Sequence, residues 1–396
     1  MVIGVPREIL ENEHRVAALP ETAAEYSRMG FRVLVESCAG EGAFRTDHEY
    51  AGAGAGIVSS PEELYSGSDL VLKVKQPCFN RITGKHEVEM MRRGAMLIGF
   101  LHPAAPANHE MVEMLRDRNI TSLTMDSIPR ISRAQPMDAL TSMSTISGYR
   151  SALIAATHLP KFVPMIGTAI GTTKPARFLT IGAGVVGLQA IATAKRLGGL
   201  VAALDIRTSA RQAAQSLGAK VVGFEAPSEL ANDELDQARP LPAEWLDRER
   251  KAIAGYLEQA DVVISSALVP GEVAPLLITE SMVELMKPGS VIVDVAIDQG
   301  GNCAATRPGC EWSTHGVFIC GVLNIPGAMP VHASWLYSNN LLEFVRNLFR
   351  SSDRSPDLDD ELARPAVVTH AGQILHKGAL KAMSLARQPV EECGRI

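Results

Sequence analysis

Residues 180–187, Thr-Ile-Gly-Ala-Gly-Val-Val-Gly, restrict the fold of this chain more than any other stretch. They follow the apolar run Ala-Arg-Phe-Leu and open the segment Val-Val-Gly-Leu-Gln-Ala-Ile-Ala-Thr-Ala-Lys-Arg-Leu-Gly, whose apolar residues recur at helical spacing. A strand that turns through GxGxxG into a helix is the phosphate-binding turn of a doubly wound α/β sheet. Each glycine has its own task. Gly182 permits the tight turn, Gly184 lets the backbone approach a pyrophosphate, and Gly187 lets helix and strand pack closely. The helix N-terminus, where Val185 and Val186 sit, then stabilises the phosphate charge. Asp205 ends the next apolar run, where the fingerprint requires an acid for the adenosine ribose hydroxyls. A carboxylate there repels a 2′-phosphate, so NAD(H) is expected over NADP(H). Arg207 argues the other way, because a guanidinium meets such a phosphate well. Ala267 and Leu268, after the run Asp-Val-Val-Ile-Ser-Ser, complete the candidate cofactor-binding set.

Strand-like and helix-like segments alternate on both sides of this turn, the pattern of βαβ units and parallel sheets. Before it come VIGVP, FRVLVES, DLVLKVKQP, GAMLIGFLHP and ITSLTMDS as apolar runs, with PETAAEYSRMG and HEMVEMLRDRN as helices, the first closed by Gly30. After it come LVAALDIR, AKVVGFE, ADVVISSAL, SVIVDVAI and GVFICGV as strands, with TSARQAAQSLG and TESMVELMKPG as helices. Two long helices are expected at 141–165 and 336–349, the second returning the chain to its first half. The polar stretch 351–362 reads as a mobile loop, and RPAVVTHAGQI as a terminal hairpin. The expected architecture is two doubly wound, Rossmann-like α/β domains with an active cleft between them. The first holds residues 1–140 with 336–396, and the second, 141–335, holds the dinucleotide.

Composition excludes several classes. With 46% hydrophobic and 21% charged residues and a net charge of −6, the 396-residue chain offers no basic field for nucleic acid. The opening residues lack the charged and apolar regions of a secretory signal, and the six cysteines form no CxxC pair, so reduced thiols in a cytoplasmic protein are expected. No metal site is expected, since the ten histidines show no ligand spacing.

With these residues in place, the chain resembles the alanine dehydrogenase and nicotinamide nucleotide transhydrogenase superfamily over residues 1 to about 380. GVPREILENEHRVAALPET, GAGVVGLQAIATAKRLG and VPGEVAPLLITESMVELMKPGSVIVDVA are similar to its signatures. PRISRAQPMDALTSMSTISGYR resembles one branch, the NAD(H)-binding alpha component of proton-translocating transhydrogenase. The resemblance implies that Arg130 and Gln135 hold the nicotinamide end of NAD(H) and that Asp138 holds their loop. It also implies hydride transfer to NADP(H) on a separate partner subunit, a membrane partner, a homo-oligomer, and a place at the inner face of the membrane through those partners.

Other residues match the other branch. Arg15, Lys75, His102 and Asp298 stand where alanine dehydrogenases bind the substrate carboxylate or carbonyl and carry their acid–base groups. Oxidising an amino acid makes an imine that water must hydrolyse, so a proton carrier near neutral pH is required. Transfer between two nicotinamide rings needs only alignment and dryness. The transhydrogenase branch also carries a mobile Gly-Gly-Tyr-Ala loop that this chain lacks. Tyr256 lies too far along to replace it, and Trp245 is the candidate substitute. A transhydrogenase component, a free-standing amino-acid dehydrogenase and a non-catalytic NAD(H) sensor all remain open at this point.

Overall fold

The computed structural model describes residues 1–386 except 234–235, 270–271 and 352–354; Cys393 lies outside the described residues. The chain divides into two compact units, residues 1–143 with the segment from Gly327 onward, and Ser144–Pro326.

The first unit begins with β1 (Val2–Val5), α1 (Pro20–Arg28), β2 (Arg32–Glu36), β3 (Gly56–Val58), β4 (Leu70–Lys75), β5 (Met96–Phe100), α2 (His109–Asp117) and β6 (Thr121–Thr124). Pro20 starts α1 at its first turn, where a missing N–H is harmless, and Gly30 closes it at φ 84°. The helix α3 (Ala139–His158) leads out of this unit. It starts two residues earlier than expected and ends seven earlier, because Pro160 and Pro164 cannot continue it. A short antiparallel ribbon, 167–168 with 171–172, follows instead.

The second unit contains β7 (Arg177–Ile181), α4 (Val185–Arg196), β8 (Leu200–Leu204), α5 (Thr208–Ser216), β9 (Lys220–Val221), α6 (Ala243–Leu257), β10 (Val262–Ser265), β11 (Val291–Asp294), β12 (Glu311–Thr314) and β13 (Val317–Cys320). Its strands lie in the order β9-β8-β7-β10-β11-β13-β12, parallel except for the edge strand β12. Neighbouring residues of one strand face opposite cores. Phe178, Val201, Val262 and Val291 pack on one side, and Leu179, Ile181, Val263 and Ile292 on the other. That two-sided burial is why the central strands read as unbroken apolar runs rather than alternating ones. Two expectations were too long. The run at 219–225 pairs only over Lys220–Val221, and the helix expected at 279–289 is one turn, Glu280–Val283, before Pro288.

The chain then returns to the first unit through α7 (Pro330–Leu348), β14 (Val367–His370) and β15 (Gln373–Ile374). Here the expected helix begins six residues earlier, with Pro330 in its first turn. The completed sheet has the order β15-β14-β6-β5-β4-β1-β2-β3, with β14 and β15 a terminal hairpin antiparallel to the rest. The polar stretch after α7 is tied down where it is described. Asp360 accepts from Asn347, Arg350 and Arg133, and Asp357 pairs with Arg350. Both sheets are doubly wound, as the sequence predicts, and in each the strand order reverses next to the first strand, where such folds place ligands. Among the described residues, no helix is long and apolar enough to cross a membrane.

Candidate functional site

In the second unit the glycine turn leaves β7. Gly182 has φ 85°, and a Cβ there would stand 2.8 Å from the Ala267 nitrogen. A Cβ on Gly187 would stand 1.9 Å from the Gly182 carbonyl oxygen, so this helix touches its strand only because the residue has no side chain. Gly184 differs: a Cβ there meets only an Arg207 Nη2 at 3.8 Å, so the backbone faces open space. Gly184 is the N-cap of α4 and offers no capping side chain. The N–H groups of Val185, Val186 and Gly187 are therefore outside the helical ladder and available to an anion.

Asp205, at the end of β8, accepts from the Ala183 N–H at 2.8 Å and the Arg207 N–H at 2.9 Å. The Arg207 guanidinium spans both carboxylate oxygens, through Nε at 3.1 Å and Nη2 at 3.0 Å. The two residues that the sequence sets in opposition over a 2′-phosphate thus pair with each other. Leu268 is half-buried, and Ala267 is braced by a residue that sequence reasoning missed. The buried Asn302 accepts from the Ala267 N–H at 2.9 Å and donates to the Ala267 and Pro275 carbonyls at 2.8 and 2.9 Å. Buried Asp294 accepts in turn from the N–H groups of Ala296, Asn302 and Cys303 and from the Ser265 hydroxyl. Burial pushes the Asp294 carboxyl up, and these donors oppose it. Asp298, singled out in the sequence, is exposed on the next short turn, ahead of Gly300 and Gly301 at φ 105° and 83°.

In the first unit, the loop carrying Arg130, Gln135 and Asp138 winds into a 3-10 turn, Ser132–Met137. Three contacts pin it. Arg133 pairs with Asp360, Asn340 on α7 donates to the Pro136 carbonyl at 2.7 Å, and Asp138 accepts from the Thr141 N–H at 2.8 Å and hydroxyl at 2.6 Å, capping α3. Arg130 and Gln135 are exposed, and their side chains meet no hydrogen-bond partner among the described residues.

The remaining candidates sit along the carboxyl edge of the first sheet or near it. Lys75 ends β4 half-buried. Its neighbour Lys73 is the lysine that is 1% exposed, paired with Glu87 at 3.0 Å and Glu8 at 3.3 Å. Burial alone would pull that ammonium down, but the two carboxylates hold it above its ordinary value. Tyr337 on α7 donates to the Lys73 carbonyl at 2.8 Å and packs on Phe100, ring centres 5.1 Å apart. Arg15 is buried and paired side by side with Glu13, Nε to Oε1 at 2.7 Å. His102 follows β5 at φ 44°, a strained value for a residue other than glycine. Asp126, just past β6, holds it there, accepting from the His102 N–H at 2.8 Å and facing its Nδ1 at 2.9 Å. Burial would raise the Asp126 carboxyl, but the His102 ring and the hydrogen bonds win and keep it below the ordinary range. Lys75 and His102 therefore lie at adjacent strand ends, whereas Asp298 belongs to the other unit. Trp245 on α6 packs against Phe224 as part of a core.

Comparison with known proteins agrees with this architecture. The N-terminal domain of the alanine dehydrogenase/PNT family matches residues 4–147, and its C-terminal domain matches residues 151–377. The first of the separately encoded pieces of the NAD(P) transhydrogenase alpha subunit of Rhodospirillum rubrum is 40% identical over 379 residues, covering 95% of this chain and 98% of that one. The alanine dehydrogenase of Methanococcus maripaludis is 30% identical, with 99% of each chain covered. Among solved structures, a transhydrogenase from Sinorhizobium meliloti superposes with a TM-score of 0.83 at 35% identity, covering 94% of this chain and all of that one. An L-alanine dehydrogenase superposes at 0.80 and 30% identity, covering 97% and 99%. This chain belongs to the alanine dehydrogenase/PNT family.

Proposed function

We propose that this oxidoreductase is the NAD(H)-binding alpha component of an NAD(P) transhydrogenase, passing hydride between NAD(H) and an NADP(H) held by a partner subunit. The pinned loop with exposed Arg130 and Gln135 carries the reading. Three contacts fix the loop, and none of them uses the two side chains that would grip a carboxamide. In this reading the N–H groups at the start of α4 bind the pyrophosphate, and Asp205 takes the ribose hydroxyls after releasing Arg207. Arg130 and Gln135 orient the nicotinamide carboxamide, and Asp138 holds the loop against α3. The dinucleotide, when bound, supplies the hydride. Proton coupling and a membrane partner follow from the same reading.

The experiment mixes the chain with the NADP(H)-binding component of a related transhydrogenase and follows NADH oxidation against an NADP+ analogue. Turnover is expected, and Arg130→Ala is expected to remove most of it without loosening the fold, since that side chain is exposed. No turnover with a competent partner refutes the reading.

A second reading, an NAD-dependent amino-acid dehydrogenase, is supported by one observation. Asp126 holds His102 through its Nδ1, leaving Nε2 as the nitrogen able to exchange a proton with a substrate. NAD+ reduction by L-alanine or another amino acid, lost in His102→Ala, decides for it.

A further inference from the structure

Four carboxylates are buried in the second unit: Asp205, Glu249, Asp261 and Asp294. Asp205 and Asp294 accept the bonds given above, and Asp261 accepts from the Arg177 N–H at 2.8 Å and pairs with Lys161 at 3.1 Å. Glu249 is 5% exposed and accepts nothing among the described residues. It projects from α6 between Trp245, Leu246 and Ile253, which pack in one cluster with Leu204, the last residue of β8. That places it behind Asp205. A buried polar group without a partner costs about 1–3 kcal/mol, so such groups are rare unless something else completes them.

We propose that Glu249 is a second carboxyl of the dinucleotide site and binds the adenosine portion as a neutral acid, its O–H donating and its C=O accepting. The inference rests on the dinucleotide reading above and adds to it which end of the ligand this residue meets. Asp205 ends β8, where a doubly wound sheet receives the adenosine ribose, and its neighbour is therefore within reach of the same moiety. A neutral acid is the form the surroundings favour. Burial first and the Asp205 carboxylate second push the Glu249 carboxyl up to about 7, with Arg250 opposing weakly. No other charge faces it. Arg207 and Arg211 bond to Asp205 instead, the first to its carboxylate and the second to its carbonyl, while Arg250 bonds to the Leu276 carbonyl. A second carboxylate beside Asp205 would repel it and leave no donor for the ligand.

The test is calorimetric titration of the full chain with ADP-ribose, which has the adenosine but no nicotinamide, between pH 6 and pH 8. If only the neutral acid binds, the apparent Kd weakens about twofold from pH 6 to pH 7 and about fivefold from pH 7 to pH 8. Glu249→Gln keeps a donor and an acceptor, so it is expected to bind near the wild-type pH 6 affinity and to lose the slope. Glu249→Leu is expected to bind more weakly at every pH, again without slope, while melting no lower than wild type. A flat wild-type profile, or a slope that survives in Glu249→Gln, overturns the inference and leaves the dinucleotide reading standing. A wild-type chain that binds neither ADP-ribose nor NADH at any pH overturns both.

Discussion

Asn302→Ala tests how the nucleotide turn is held. Asn302 is fully buried and makes three hydrogen bonds to backbone, two to Ala267 and one to Pro275. Alanine leaves one N–H and two carbonyls without partners. Each such orphan costs about 1–3 kcal/mol when buried, and Ala267 is half-buried, so water recovers part of the loss. A net loss of about 2–4 kcal/mol is expected. At about 2–4 °C per kcal/mol for a unit of this size, the melting transition of the second unit falls by roughly 5–15 °C. The effect also reaches the ligand. Gly182 has its tight turn because the Ala267 backbone stands against it, so freeing Ala267 loosens the turn that presents the α4 N–H groups. The assay is a thermal melt paired with an NADH fluorescence titration, and weaker binding is expected even well below the transition. Asn302→Asp is a sharper version, since it removes the amide donor and sets a second carboxylate beside Asp294. A loss below about 1 kcal/mol with unchanged NADH affinity would refute the reasoning, because it would mean water replaces the amide without strain.

Other perturbations separate fold from binding. Gly187→Ala places a methyl 1.9 Å from the Gly182 oxygen and is expected to destabilise the second unit by about 3 kcal/mol in a melt, whereas Gly184→Ala leaves the melt unchanged and weakens NADH binding. Asp205→Ala is expected to weaken NADH binding roughly tenfold to a hundredfold, with little loss for NADPH, so the ratio of the two affinities is the measurement. Asp126→Asn is expected to destabilise the first unit by about 2 kcal/mol. Because the folded Asp126 carboxyl lies below its ordinary value, this stabilisation is present above about pH 4 and disappears as acid protonates the group, so wild type and variant converge in acid melts. Glu249 has the opposite sign. Its folded value near 7 lies above its unfolded one, so its penalty grows from about pH 4 and is complete above about pH 7, and Glu249→Gln is expected to be more stable there by on the order of 2–3 kcal/mol.

Much of the fold was legible in the residues because parallel strands buried on both faces appear as unbroken apolar runs, and β4, β5, β10 and β11 all do. Lengths were less legible. The 219–225 run has strand composition, yet only two of its residues find a partner on β8, and pairing is a property of two segments. The Arg130–Asp138 loop stood out through its residue types, but nothing local says that Arg133 reaches Asp360, 227 positions away.

The sequence by itself determined what depends on near neighbours: the glycine turn, the helix it opens, the acid that follows, and the alternation that makes two doubly wound sheets. Backbone conformation and local spacing suffice for these, because each is decided within one strand–turn–helix unit. Only the tertiary structure decided which polar residues work together. It buried Lys73 rather than Lys75, seated His102 on Asp126, used Asn302 rather than Asp298 to brace the turn, and left Glu249 without a partner behind Asp205. Those choices depend on the ångström-scale approach of segments tens to hundreds of residues apart, and on the desolvation that comes with it, neither of which a linear pattern of residue types encodes.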